Sequence, residues 1–270
     1  MDRQRAEKLT ILRATVGSEA HGLNLPGTDD HDEMGVCIED VEDAICEPVF
    51  EQFIYRSAAE REQKHDAPSQ PGDLDLTIYS LRKYLRLALQ GNPTVLTLLF
   101  TKNVVRGDAR GMRLQEMAPH IISRAAGKRY LGYLESQRMR LLGEKGQKKV
   151  NRPELEEKYG YDTKYAMHML RLGVQGIELL TTGRITFPMP EGSRKWIRSV
   201  REGKVPLDEV LSTTGLYERE IKDLLDTSPL PEHPNTELVN SWMVGTYWDT
   251  WKARRLNLDL KVNQGGKVWN

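Results

Sequence analysis

Hydrophobic and polar positions alternate in short runs through residues 1–100, a pattern typical of β-strands. Four such runs predict four strands, at 9–16, 33–39, 51–57 and 74–78. The first run ends at Gly17-Ser18, where a helix is expected to begin, and the polar stretch 58–72 predicts a loop. Ser80 is expected to cap a helix that stops at Gly91, within a Gly-Asn-Pro sequence.

From about residue 110 the apolar positions recur at helical spacing instead. Amphipathic helices are predicted over 111–142 and 162–181, and Gly183 is expected to end the second one. We expect two short helical stretches within 206–227, and an aromatic-rich segment at 236–255 that packs back on the body. The order of these elements predicts an α+β fold, with a small mixed sheet first and a helical domain after it.

Charge is distributed unevenly, although the chain of 270 residues is formally neutral. Residues 1–80 contain 18 Asp/Glu against 7 Lys/Arg, so the rest of the chain is correspondingly basic. This asymmetry indicates a cation site in the front part and an anionic partner for the remainder, and ordinary surface charge would explain it equally well.

Two cysteines, Cys37 and Cys46, argue against a disulfide scaffold. Cys37 lies within an apolar strand pattern and is predicted to be a small core residue. No run has the pattern of a signal peptide or the length of a membrane span. We therefore expect a cytoplasmic protein with no membrane partner.

Asp30 and Asp32 stand two residues apart at the start of an apolar run. Side chains two residues apart on a strand point to the same face, so both carboxylates can bind or share divalent cations. Gly17 and Ser18 precede them, where glycine permits close backbone approach and free N–H groups can receive an anion. A phosphate site beside paired carboxylates is what metal-dependent phosphoryl or nucleotidyl transfer requires.

A third acid follows on the strand at 74–78. Asp73 and Asp75 share a face, so periodicity alone does not decide between them. We prefer Asp75, because Leu74 and Leu76 place it within the sheet. A solvated acidic edge or a calcium loop is the alternative, but a calcium loop spaces its ligands through a turn rather than along a strand.

Two histidines accompany this pattern. His31 alternates with the acidic pair and is expected on the other face of its strand, and Mg²⁺ prefers oxygen to imidazole ligands. His21 lies close in sequence to Gly17-Ser18 and could contact a phosphate there. A surface or capping histidine is the favoured interpretation.

The ordered set resembles the nucleotidyltransferase core of the DNA polymerase beta superfamily: Gly17-Ser18, then Asp30-x-Asp32 running into Gly35-Val36, then Asp75. The stretch Asp73–Phe100 is similar, more narrowly, to the predicted nucleotidyltransferases associated with phage RNA ligase, through Tyr79-Ser80-Leu81-Arg82-Lys83 and Gly91-Asn92-Pro93. The core resemblance covers about residues 9–100, and a weaker one continues through Lys164–Pro190.

The resemblance implies roles for these residues. It implies that the nucleoside triphosphate, ATP among the candidates, is held by Gly17, Ser18 and Lys83. It implies that two Mg²⁺ ions, or Mn²⁺ in their place, are bound by Asp30, Asp32 and Asp75. The last of these acids would also assist the incoming hydroxyl.

One face of the predicted helix 162–181 is polar and partly cationic, opposite an apolar face. Given the resemblance, we assign three residues of the polar face to nucleotide binding: Lys164, His168 and Arg171. A solvated helix face explains the same spacing equally well.

Residues 121–152 form the most basic segment, with nine Lys/Arg and two Glu. Tyrosines are interleaved with the basic residues, and the predicted loop within the segment carries Lys145, Lys148 and Lys149. We assign these lysines to acceptor binding, because such a loop can contact a nucleic-acid backbone. Contacts to nucleotide phosphates, or a plain solvated helix, are the alternatives.

These observations favour an enzyme that moves an NMP from an NTP to an acceptor hydroxyl and releases pyrophosphate, with a nucleotidyltransferase catalytic core at 1–108 and a helical domain at 109–270. An RNA end is the preferred acceptor, given the basic segment and the RNA-repair association of similar proteins. Nucleotidylation of a protein or small molecule is one alternative. A non-catalytic nucleotide-binding module is another, but three mutually repelling acids argue against it. The sequence leaves the choice of NTP and the oligomeric state open.

Overall fold

Five strands form one mixed sheet in the order β3-β4-β2-β1-β5. The computed structural model describes residues 1–25, 27, 31–64, 67, 69–144 and 152–264, with side chains described up to residue 255. The strands are β1 (Thr10–Thr15), β2 (His31–Cys37), β3 (Gln52–Arg56), β4 (Leu74–Ser80) and β5 (Val104–Gly107). Only β2 and β4 run parallel among the paired strands of this described sheet.

Short helices are inserted between the strands, and longer ones follow the sheet. The first group comprises α1 (Arg3–Leu9), α2 (Gly17–His21), α3 (Val41–Ile45), α4 (Ser57–Glu62), α5 (Leu81–Leu89) and α6 (Pro93–Phe100). The second comprises α7 (Ala109–Glu116), α8 (Ala118–Ile121), α9 (Ala125–Leu141), α10 (Pro153–Tyr159), α11 (Thr163–Thr182), α12 (Glu191–Arg201), α13 (Leu207–Thr227) and α14 (Thr236–Gln264). The α+β class with a mixed sheet is confirmed.

The four predicted strands are present, with β2 shifted towards the amino terminus. Its ladder starts early because the His31 amide donates to the Asp73 carbonyl at 2.7 Å, and His31 then pairs with Leu74 of β4. Asp32 therefore lies inside the sheet. The fifth strand, β5, was not predicted, because a four-residue exposed edge strand carries too little alternation to be recognised.

Several helix predictions need correction. The polar stretch 58–72 contains most of α4 rather than only a loop. The helix predicted over 111–142 is broken into α7, α8 and α9, with Pro119 in the first turn of α8. Residues 206–227 form the single helix α13, because its buried side chains pack on α11 despite Gly215. The predictions that Ser80 caps α5 and that Gly183 ends α11 are confirmed.

The main hydrophobic core runs without interruption from β1 to α14. Helix α11 lies inside it and packs against α9, α12 and α13, so α11 has buried residues on more than one side. A smaller cluster, which includes the buried thiol of Cys37, lies beneath α1 on the other face of the sheet. The division into domains at residue 108 stays a prediction. In the described part of the chain, no helix combines the length and apolar character of a membrane span.

Candidate active site

A cleft of about 310 Å³ lies over the amino-terminal halves of β2 and β4. Four residues of β4 line it, the alternating set Asp75, Thr77 and Tyr79 together with Leu76. Leu76 and Ile78 point the other way, into the smaller core cluster. The cleft therefore follows from the period of two along β4, which places polar side chains on one face and apolar ones on the other.

Asp32 and Asp75 are direct partners in the parallel register of β2 and β4, and both line the cleft. Residues paired this way on neighbouring strands lie about 4.8 Å apart and point to the same face. Two carboxylates at such separation repel each other unless a cation lies near them. The sheet therefore builds an anionic site from two strands that are distant in sequence.

Arg56 of β3 is the register partner of Asp75 on its other side. Its Nε atom donates to Asp75 Oδ1 at 3.3 Å, and Ser69 Oγ donates to Asp75 Oδ2 at 3.1 Å. A row of three charged side chains thus crosses the sheet from Arg56 through Asp75 to Asp32. The arginine offsets part of the negative charge and holds the Asp75 carboxylate in place.

Asp73 lies outside this row. Its carboxylate accepts hydrogen bonds from the Ser57 hydroxyl at 2.8 Å and the Gln70 amide at 2.7 Å, and it forms an ion pair with Arg61. The Arg61 guanidinium, helped by the Gln70 amide, lowers the pKa of Asp73 to about 2. These contacts tie α4 to the start of β4, so the surroundings of Asp73 are those of a structural residue.

Gly17 closes the cleft against Asp32. Its φ of +65° lies in the left-handed region, and a Cβ atom at this position would overlap the Asp32 carboxylate. The neighbouring Val16 amide donates to the Asp32 carbonyl at 2.9 Å, which fixes the start of α2 on β2. Only glycine at position 17 allows the backbone to approach the Asp32 carboxylate this closely.

The donor set of this cleft fits a divalent cation of the Mg²⁺ type, since Asp32 and Asp75 offer oxygen ligands only. Within the described residues, no cluster of three or more metal-binding side chains is present. Asp30, the remaining predicted ligand, lies outside the described residues.

Arg171 of α11 reaches the cleft together with His21 of α2. One Arg171 Nη1 atom contacts His21 Nε2 at 3.1 Å and Gln175 Oε1 at 2.9 Å, while Gln175 Nε2 contacts His21 Nδ1 at 3.1 Å. A neutral imidazole has one acceptor nitrogen, so His21 accepts a hydrogen bond from only one of these two groups at a time. The cluster therefore keeps donor capacity beside the carboxylates.

Burial decides the charge state of this cluster. It lowers the pKa of His21 well below the usual range, and the nearby Arg171 lowers it further. The interpretation of His21 as a surface or capping residue is wrong, because its side chain is buried between α2 and α11. Burial also lowers the pKa of Arg171 from its ordinary value. His31 bonds Glu19 and Glu33, as expected for the face opposite Asp32.

Four predicted site residues lie away from the cleft lining. Ser18 follows Gly17 in α2 without lining the cleft, and Lys83 pairs with Glu51 at 3.2 Å at the far end of β4. Lys164 lies at the start of α11, and burial lowers the pKa of His168 well below its usual range. The structure thus brings together Gly17, Asp32, Asp75 and Arg171. Lys145, Lys148 and Lys149 lie outside the described residues.

Sequence reasoning missed several cleft residues, above all Arg56, Thr94 and Thr97. The two threonines interrupt the apolar α6 three positions apart, which places them on one face of the helix. That interruption was a signal in the sequence. No sequence pattern identified Arg56, because its position beside Asp75 depends on which strand pairs with β4.

The chain was compared with solved structures, curated proteins and protein-family models. A nucleotidyltransferase-like protein from Exiguobacterium sibiricum 255-15, of known crystal structure, is similar at 12% identity over 83% of this chain and 71% of its own, with a TM-score of 0.30. No curated protein matches. The model of the RlaP family, described as the RNA repair pathway DNA polymerase beta family, matches residues 2–243. The chain therefore belongs to the RNA repair pathway DNA polymerase beta family.

Proposed function

We propose that this protein is a divalent-metal-dependent nucleotidyltransferase that moves an NMP from an NTP to a hydroxyl of RNA and releases pyrophosphate. One observation carries the proposal: Asp32 and Asp75 are register partners in a cleft that Gly17 closes from the side. Adjacent carboxylates on one sheet face, next to a close backbone approach, are suited to nucleotidyl transfer.

Asp32 and Asp75, together with Asp30, would hold the Mg²⁺ ions. Such ions, when bound, neutralise triphosphate charge and lower the pKa of the attacking hydroxyl. The Arg56 contact supports this assignment, because it orients the Asp75 carboxylate towards the shared face. Asp75 is also the group that would accept the proton of the acceptor hydroxyl.

Arg171 would receive the triphosphate. It is a half-buried cation whose described contacts are the neutral groups of His21 and Gln175, so its charge is available to an anion in the cleft. Gly17 would let the phosphates approach the backbone. Lys83, Lys164 and His168 are not part of the proposed site, because they do not line the cleft.

RNA is the proposed acceptor because the family is described as acting in an RNA repair pathway. The basic segment 121–152 suits a polyanionic partner. The acceptor hydroxyl would lie at Asp75, and the base of the NTP is identified by comparing label transfer from the four NTPs.

The test is label transfer from each α-³²P-labelled NTP to RNA with a free 3′ hydroxyl, in the presence of Mg²⁺. Asp75→Asn should lower turnover by at least about 100-fold, because the acid that binds the cation and receives the proton is lost. Asp73→Asn is the matched control, since it removes an acid two residues away that lies outside the cleft. It should keep most of the activity at a temperature where it remains folded.

Full label transfer by Asp75→Asn would reject the site. Label on a protein or a small molecule, with none on RNA, would keep the chemistry and replace the acceptor. Nucleotide binding by the wild type without any label transfer would favour a binding module.

A further inference from the structure

A large groove lies at the opposite end of β2 from the cleft. Its volume is about 1390 Å³, and it is lined by α1, by the start of α3 and by α14. Asp32 stands near the first residue of β2, and Asp40 follows its last residue and lines the groove. A strand rises about 3.3 Å per residue, so Asp32 lies roughly 17 Å from the last residue of β2, beyond which the groove begins.

One side of α14 is anchored to the body. The Tyr247 hydroxyl donates to Glu39 Oε1 and Trp251 Nε1 donates to the Glu39 carbonyl, both at 2.8 Å. Arg254 pairs with Asp40 at 2.8 Å. These contacts join α14 to the segment that follows β2, so α14 forms one wall of the groove.

The other side of α14 is exposed, and it combines a large aromatic side chain with basic ones. Trp248 has 67% of its surface exposed and lines the groove, as do Lys252 and Arg255. The three side chains follow at i, i+4 and i+7, so they form one stripe along the helix. An indole plane is thus presented to solvent with cations one and two turns further on.

The groove also carries an excess of cations. Five basic residues line it against three acidic ones, and two of the basic residues, Arg5 and Arg254, are already paired with acids. In the part of the chain whose side chains are described, Lys8, Lys252 and Arg255 form no ion pair. Their charge is therefore available to a ligand.

We propose that this groove binds a single-stranded segment of RNA, with a base stacked on Trp248 and phosphates contacted by Lys8, Lys252 and Arg255. Exposed aromatic planes interleaved with unpaired cations are the features that single-stranded nucleic acid requires. The volume exceeds that of ordinary small-molecule pockets and suits several nucleotides. The stripe on α14 lies beyond residue 243, where the family match ends.

The inference rests on the proposed function, since it names a second contact for the same RNA. An acidic peptide would use the cations but would leave the exposed indole plane without a stacking partner. RNA uses both features. The groove would hold the RNA body, and an end would reach the cleft by passing from the side of α1 to the opposite face of the sheet, which carries Asp32.

The test is the affinity of the full-length protein for a fluorescein-labelled, unstructured RNA of about 12 nucleotides, measured by anisotropy in EDTA. Trp248→Ala should weaken binding at least about fivefold, because one stacking contact is lost, and Trp248→Phe should restore part of it. Lys252→Gln with Arg255→Gln should flatten the dependence of log Kd on log salt by about 1.4, from two lost phosphate contacts.

The matched control is Lys222→Gln with Arg184→Gln, which removes one exposed Lys and one exposed Arg outside the groove. It should bind RNA with the wild-type affinity and salt slope. Trp248 is exposed, so its variants should melt at the wild-type temperature. Label transfer to RNA is measured in parallel with Mg²⁺.

Reduced affinity of both groove variants, with an unchanged control, supports the inference. Wild-type affinity in the groove variants overturns it and leaves the proposed function intact. Groove-dependent RNA binding without label transfer overturns the proposed function alone. No RNA binding by the wild type, or a dimer in sedimentation that Trp248→Ala dissociates, also overturns the inference.

Discussion

At the scale of single residues, glycine is required at position 17 for two reasons. Its φ of +65° is a conformation that L-residues adopt at a cost of about 1–2 kcal/mol. A Cβ there would in addition overlap the Asp32 carboxylate. Gly160 has a φ of +82° with open space around it, so it shares the first requirement only.

This contrast gives a prediction. Gly160→Ala should lower the free energy of unfolding by about 1–2 kcal/mol, measured in urea, and Gly17→Ala should lower it by at least as much, because its Cβ also overlaps Asp32. Only Gly17→Ala should lower turnover, by about 100-fold, because it displaces a carboxylate at the reacting centre. Equal activity of the two variants would mean that the close approach at Gly17 has no role in catalysis.

Arg171 and His21 show how burial sets the chemistry of a residue. Both would be charged or titrating in water, yet burial lowers the pKa of each. His21 therefore serves as a neutral partner that holds Arg171 by a hydrogen bond of 3.1 Å. The cationic group of the cleft is the arginine.

At the scale of elements, Asp73 joins α4 to β4 through Ser57 and Arg61. Its pKa is lowered to about 2, chiefly by the Arg61 contact, against an ordinary value of 3.8. A carboxyl whose folded-state pKa is depressed stabilises the fold above its unfolded pKa. That contribution is lost as the pH falls through the folded pKa.

Asp73→Asn should therefore unfold at lower urea concentration than the wild type at pH 7. The gap between their urea midpoints should persist down to about pH 4 and close as the pH approaches 2. Urea titrations at several pH values measure it. A gap that is constant over this range would show that the ionised carboxylate is not what connects α4 and β4.

At the scale of the whole molecule, the sheet and the later helices share one core. Backbone of α7 packs on β1 so closely that a Cβ at Gly111 would overlap the Ile11 carbonyl. Helix α6 packs on α9, and α14 is bonded to Glu39 at the end of β2. Each of these contacts crosses the sequence division at residue 108.

We therefore predict that the described body unfolds in one cooperative transition. Calorimetry should give a van 't Hoff enthalpy close to the calorimetric one, and near- and far-ultraviolet circular dichroism should share a midpoint. Two separate transitions would instead support independent domains at 1–108 and 109–270.

The cap of α5 and the end of α11 were predictable from the sequence, because both depend on residues close together in the chain. Ser80 accepts a hydrogen bond from the Lys83 amide, three residues away, and Gly183 ends α11 with a φ of +70°. The preference for Asp75 over Asp73 came from its apolar neighbours and from the family resemblance, and the structure puts Asp75 alone of the two in the cleft. The apolar residues on both sides of Asp75 contain that information, whereas alternation does not, because Asp73 and Asp75 share a face.

The sequence did not predict which strands pair with each other, because no local pattern specifies the neighbours of a strand. The sequence by itself determined the four longer strands, the cap of α5, the end of α11 and the acidic character of the site. Only the tertiary structure decided that Asp32 meets Asp75, that Arg56 flanks them and that His21 is buried under Arg171. These facts depend on register and packing between segments distant in the chain, where the energies that choose a partner come from burial of the whole core rather than from any one stretch of residues.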